Sequence, residues 1–163
     1  MASSTGYTFA TFPLKPRLGL KANIVSGDND PDDPDLQTVN PLFPKGKYFG
    51  ELVLLGPANL INLHTTVDLH LGNRWSLNGA AVLYWRESTG DGIYDFGGNL
   101  LRGDGGSDAR CIGTQAELVL TYEHHRNLDA LLSYSQFHPG AYIKDTGPSE
   151  TVHFVAAELR FRF

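Results

Sequence analysis

The chain has 163 residues, with 18 Asp plus Glu against 13 Lys plus Arg, a formal charge of -5, 41% hydrophobic residues and one cysteine. That is at most one domain, and its acidic balance excludes a protein built to grip nucleic acid through a basic face. Cys111 has no intrachain partner and no zinc-like Cys or His spacing around it, so it reads as a thiol without a role, and the longest apolar run, around Gly79 to Trp85, is far short of the roughly 20 residues a membrane helix needs.

Membrane-spanning strands need only about 9 to 11 residues and alternate apolar with polar, so ordinary hydropathy does not speak against them. Met1 to Gly6 has neither a basic nor an apolar stretch, and no secretory signal is expected within it. Residues 6–11 read as the end of a first strand. Residues 15–26 and 59–71 follow with two-residue alternation that is regular in part. Over residues 75–87 the alternation is strict: Trp75, Leu77, Gly79, Ala81, Leu83 and Trp85 oppose Ser76, Asn78, Ala80, Val82, Tyr84 and Arg86. Residues 111–123 split the same way, with Thr114, Ala116, Leu118, Leu120 and Tyr122 against Gln115, Glu117, Val119, Thr121 and Glu123. Residues 128–137 form a further strand. In residues 152–163, Val155, Ala157, Leu159, Phe161 and Phe163 face away from Ala156, Glu158, Arg160 and Arg162. The expected fold is all-β, an antiparallel up-and-down meander in one domain spanning residues 1–163.

The connections alternate in length. Phe12 to Lys15, Gly72 to Arg74 and Glu123 to Asn127 are tight turns, whereas Gly27 to Ala58, Thr89 to Arg110 and His138 to Glu150 are long and rich in Gly, Pro, Asp and Asn. Short turns at one end and long loops at the other is the arrangement of an outer-membrane barrel, with turns in the periplasm and loops outside the cell. A soluble ligand-binding barrel would point its apolar face inward, and a membrane barrel reverses this. The tryptophans favour the membrane arrangement. Trp75 and Trp85 share a face, and ten residues at about 3.3 Å each, tilted by about 40°, project to roughly 25 Å, the height of the apolar band between aromatic girdles. The last strand closes on Phe163, which resembles the C-terminal signal read by the barrel insertion machinery.

Several segments together resemble the outer-membrane alginate export family: Pro16 to Lys21 running into Ser26-Gly27-Asp28, then Asn40-Pro41-Leu42-Phe43-Pro44 with Gly46-Lys47-Tyr48-Phe49-Gly50, then Gly56 to Leu60, and the closing strand. The likeness covers most of the chain from about Gly6 and is most specific in the Asn-Pro-Leu-Phe-Pro-x-Gly-x-Tyr loop. It implies a location in the cell outer membrane and a single barrel of about 18 strands. Its lumen would be positively charged and pass an anionic polysaccharide such as alginate outward, without a cofactor. This chain would supply the C-terminal part of such a barrel. Its open edges would need further strands, because bare N–H and C=O groups are not tolerated in lipid.

If the apolar face meets outer-membrane lipid, the other face lines a pore. Its charged residues are Arg17, Lys21, Asp68, Arg86, Glu117, Glu123, Glu158, Arg160 and Arg162, joined by Asn23, Asn62, His64, His70, Asn78, Tyr84 and Gln115. A ladder of cations offers successive weak sites for a polyanion. The same charges also suit pairing across the wall, for instance Lys21 with Glu117, Asp68 or Glu158. The charged set is nearly balanced, so the polyanion preference comes from the family resemblance.

Two other chemistries are open to the sequence. Asp28, Asp30, Asp32, Asp33 and Asp35 form an acidic loop that suits a hard cation such as calcium, although Asp33 and Val39 stand where an EF-hand needs Gly and Glu. Ser133 and Ser135 with His64 and His70 invite comparison with outer-membrane hydrolases. None lies in a nucleophile motif and both histidines are expected to face the lumen, so a non-enzymatic conduit is the expectation.

Overall fold

The computed structural model describes residues 1–30, 32–43, 47, 49–125 and 127–162. Its elements in chain order are β1 (Ala2–Thr8), β2 (Arg17–Val25), β3 (Leu60–Gly72), β4 (Trp75–Trp85), β5 (Ile93–Tyr94), β6 (Leu100–Arg102), β7 (Cys111–His125), β8 (Leu128–Pro139), α1 (Ala141–Thr146) and β9 (Val152–Phe161). Seven strands form one sheet in the order β1-β2-β3-β4-β7-β8-β9, every neighbouring pair antiparallel, and β5 with β6 makes a small separate hairpin. This is the expected all-β meander. The sheet is not closed, and β1 and β9 are its two edges.

The first strand lies earlier than the sequence reading put it, at Ala2–Thr8 rather than residues 6–11. Residues 9–16 turn instead, with Phe9 N–H donating to Pro16 O at 2.8 Å and Leu14 and Lys15 at positive φ. Ser3, Ser4, Thr5 and Gly6 have no apolar alternation to reveal them, and they are extended because β2 pairs with them residue by residue. At the same end, β3 turns into β4 through Asn73 and Arg74, both left-handed (φ 49° and 71°), the conformation of the tight hairpin turn whose twist matches that of the strands.

Register keeps the two faces apart across the sheet. Lys21, His64, Val82, Gln115, Phe137 and Val152 are partners in one continuous row, and Arg17, Asp68, Asn78, Val119, Ser133 and Ala156 in another. These rows share what is called the inner face below. The outer face carries Leu18, Leu20, Val67, Leu118, Leu132, Val155 and Leu159, all exposed, with Leu159 reaching 77% and Val155 68%. Apolar side chains out and polar ones in is the reverse of a water-soluble sheet. No described helix is long and apolar enough to cross a membrane.

The buried core therefore lies on the polar face, at the end bearing the long loops. Leu60, Val82, Tyr84, Ile112 and Phe137 from the sheet pack with Phe49, Leu52 and Leu55 from the β2–β3 loop, Ile93 from β5, and Tyr142 and Ile143 from α1. Ile112 enters this core through a shift in register. Tyr84 pairs with Gly113 and Trp85 with Cys111, so β7 has one residue more than β4 there.

Candidate functional site

The inner face divides into two halves. Over β7 to β9 a strap, Lys47 and residues 49–55 of the β2–β3 loop, lies against the wall. Glu51 N–H donates to Glu117 Oε2 at 2.6 Å, Ser135 Oγ donates to the same oxygen at 2.9 Å, and Tyr84 OH meets Phe49 O at 3.3 Å. Gly50 sits so close that a Cβ would lie 2.7 Å from Gln115 Nε2 and 2.8 Å from Glu117 Oε2, and its φ of 134° also favours glycine. Lys47 reaches two carboxylates, Glu51 Oε2 at 2.7 Å and Glu158 Oε2 at 2.9 Å. Those hydrogen bonds hold the Lys47 ammonium above its ordinary value.

Each residue assigned to the pore wall has a definite place. Glu117 anchors the strap. Glu158 lies between Lys47 and Arg160, whose Nε is 2.7 Å from Glu158 Oε1. Arg162 Nη2 is 2.7 Å from Asp129 Oδ2 at the short-turn end. Arg17 donates from Nη1 to Thr8 Oγ1 at 3.2 Å and stands across from Asp68, which accepts from Asn78 Nδ2 at 2.7 Å. These three residues line a groove of about 270 Å³ with Thr8, His70, Ser76, Leu69 and Leu77. Lys21 stands across from His64.

Arg86 is elsewhere. The alternation of β4 put it on the pore wall, but the strand ends at Trp85 and the Arg86 side chain turns into the loops, fully buried. Its Nε and Nη2 donate to Ala109 O, its Nη1 to Thr89 O and Asp91 O at 3.0 Å each, and its Nη2 also to Ser107 O. The guanidinium lies 4.0 Å from the centre of the Tyr142 ring. With its donors occupied by carbonyls it organises the loop between β4 and β7 and has no wall to offer a solute.

Three of the five aspartates of the acidic loop are likewise committed to its own backbone. Asp28 Oδ1 accepts from Asp30 N–H, Asp30 Oδ1 from Asp32 N–H and Asp33 Oδ1 from Asp35 N–H, at 2.8 to 3.2 Å. These bonds turn the carboxylates along the chain, and no cluster of three or more candidate ligands occurs among the described residues. Ser133 and Ser135 lie on the inner face, where Ser135 donates to Glu117 and Ser133 to Ala156 O at 3.5 Å, a use of both hydroxyls as wall fastenings. Phe163 and, within the loop motif, Pro44, Gly46 and Tyr48 fall outside the described residues.

The residues missed in the sequence are those that tie loops together. Asn59, left-handed at φ 45° and fully buried, donates from Nδ2 to Ser88 O and Gly92 O and accepts from Ser88 N–H. Asp91 accepts from Asp28 N–H, Thr38 Oγ1, Gly92 N–H and Tyr94 OH. Burial, reinforced by the Asp91 bond, pushes the Tyr94 phenol up to about 12. Asn59 was signalled only by its place in the Gly56 to Leu60 motif.

The face inversion and the one-sided long loops are consistent with part of an outer-membrane barrel. Among known proteins, the family model described as alginate export matches residues 1–157, nearly the whole chain. No curated protein sequence matches it. The chain belongs to the alginate export family, a transport family of outer-membrane β-barrels.

Proposed function

We propose that this chain forms part of the wall of an export channel in the cell outer membrane, through which an anionic polysaccharide such as alginate passes without chemical change. The observation that carries the reading is the exposure of the apolar outer face opposite a polar inner face. Outer-membrane lipid would cover Leu159, Val155, Leu118 and Leu20, and the barrel insertion machinery would engage the end of the chain at Phe163. The unpaired edges of β1 and β9 require further strands to complete the wall in lipid.

Within the lumen, Arg17, Lys21, Arg160 and Arg162 would meet the polymer's carboxylates in passing, while Asp68, Glu117 and Glu158 keep each step shallow enough for release. The charges of this stretch are close to balance, and the preference for a polyanion is supported by the family. A soluble ligand-binding barrel is disfavoured by the same exposed apolar face, which would aggregate in water. The test is current through planar bilayers containing the channel. Anion-selective current that a short oligouronate blocks and a neutral oligosaccharide does not is the expected result; cation selectivity with no oligouronate block overturns the reading.

A further inference from the structure

Two polar atoms on the inner face, Asn62 Nδ2 and His64 Nδ1, find no hydrogen-bond partner among the described residues. Their side chains are 1% and 5% exposed and sit two positions apart on β3, so both point to the same side of the sheet. Buried polar atoms left unmet are destabilising and few, and those that persist call for an explanation in function or in a missing ligand.

The surroundings say what would satisfy them. Asn23 Nδ2 donates to Asn62 Oδ1 at 2.8 Å, which leaves the amide nitrogen of Asn62 as the outstanding donor. Lys21, directly across from His64, places a cation beside the pair. Tyr84, across from Asn62 on the other side, is covered by Phe49 of the strap, their ring centres 6.3 Å apart. An amide donor, an ammonium and an imidazole within two rows of the wall complement a carboxylate flanked by hydroxyls.

We propose that Lys21, Asn23, Asn62 and His64 form a binding step for one sugar-acid unit beside the strap, whose Phe49 stands on the neighbouring Tyr84. The step rests on the export reading and specifies where along the wall the chain of sugars is held. Asn62 supplies a hydrogen bond to a carboxylate oxygen, Lys21 the charge, and His64 Nδ1 a donor or acceptor for a ring hydroxyl, while Asn23 positions the Asn62 amide.

Single-channel recording of the native outer-membrane channel containing this chain tests the proposal, with trigalacturonate as probe and maltotriose as neutral control. Asn62→Asp keeps the oxygen that accepts from Asn23 and turns the outstanding donor into an acceptor. The dwell time of the trigalacturonate block is expected to fall about tenfold, the loss of one charge-assisted hydrogen bond, with the maltotriose response unchanged. Lys21→Gln is expected to act in the same direction and serves if Asn62→Asp does not assemble. Unchanged dwell times in an assembled variant overturn the binding step and assign the unmet atoms to water, with the export reading intact. No trigalacturonate block in the unaltered channel overturns the export reading and the step together.

Discussion

Lys47 Nζ and Glu158 Oε2, 111 positions apart in the chain, meet at 2.9 Å and join the β2–β3 loop to the last strand across the inner face. The contact is half-exposed and contributes little energy alone. Its importance is geometric, since it lies at one end of the strap whose middle is fixed by Glu117.

Lys47→Ala should therefore leave assembly unchanged and loosen the strap. The expected outcome is a larger mean conductance with more frequent flicker, and Gly50→Val, which drives a side chain into Gln115 and Glu117, should do the same more strongly. Identical conductance in both variants would show that the strap does not restrict the lumen.

Arg86→Ala should damage the outer loops without changing polyanion block. It leaves several carbonyls and the Tyr142 ring without their partner in a buried setting, a loss of about 3 kcal/mol or more. The measurement is a thermal or denaturant transition in detergent beside a block assay. A stable variant with weakened block would restore Arg86 to the pore wall.

Val155→Arg separates lipid from water as the surroundings of the outer face. In a soluble protein, a substitution at a site 68% exposed falls within about 0.5 kcal/mol of neutral. Against hydrocarbon the same change costs about 2–4 kcal/mol near the bilayer midplane. Refolding into lipid vesicles under a denaturant gradient reads the difference.

The outer loops should respond to alkali. The Tyr94 phenol is raised from 10.0 to about 12, so the unfolded loop loses this proton first as pH climbs. The stability it contributes is complete below pH 10 and is lost as pH rises through about 12. The Lys47 attachment has the same sign, complete below its ordinary value of 10.5 and lost above it. Phenolate absorbance checks this: the difference between the unaltered protein and Tyr94→Phe should titrate near pH 12, and a difference curve centred at 10 would contradict the Asp91 contact.

The strands and their faces were legible because a period of two follows from backbone geometry, and β4 and β9 obey it without a break, as does β7 from Gly113 to Glu123. The strap was not, since its sequence has no period and its Lys47 and Glu51 are held by partners far away in sequence, Glu158 and Glu117. Arg86 misled for a related reason: alternation continues on paper past Trp85, but the strand stops there and a carbonyl-rich loop captures the guanidinium. The aspartates of residues 28–35 show the converse, a composition that suits a cation and a local geometry in which Asp28, Asp30 and Asp33 each serve the amide two residues on.

The order of the sheet also sets a rule of parity. β1 runs from the long-loop end toward the short turns, and with seven strands so does β9. Joining the two edges directly, or setting copies of this chain in a ring, would place β9 beside β1 pointing the same way, a parallel seam in an otherwise antiparallel wall. Closure with antiparallel seams alone requires an odd number of additional strands between β9 and β1, which yields the even total usual in bacterial single-chain barrels.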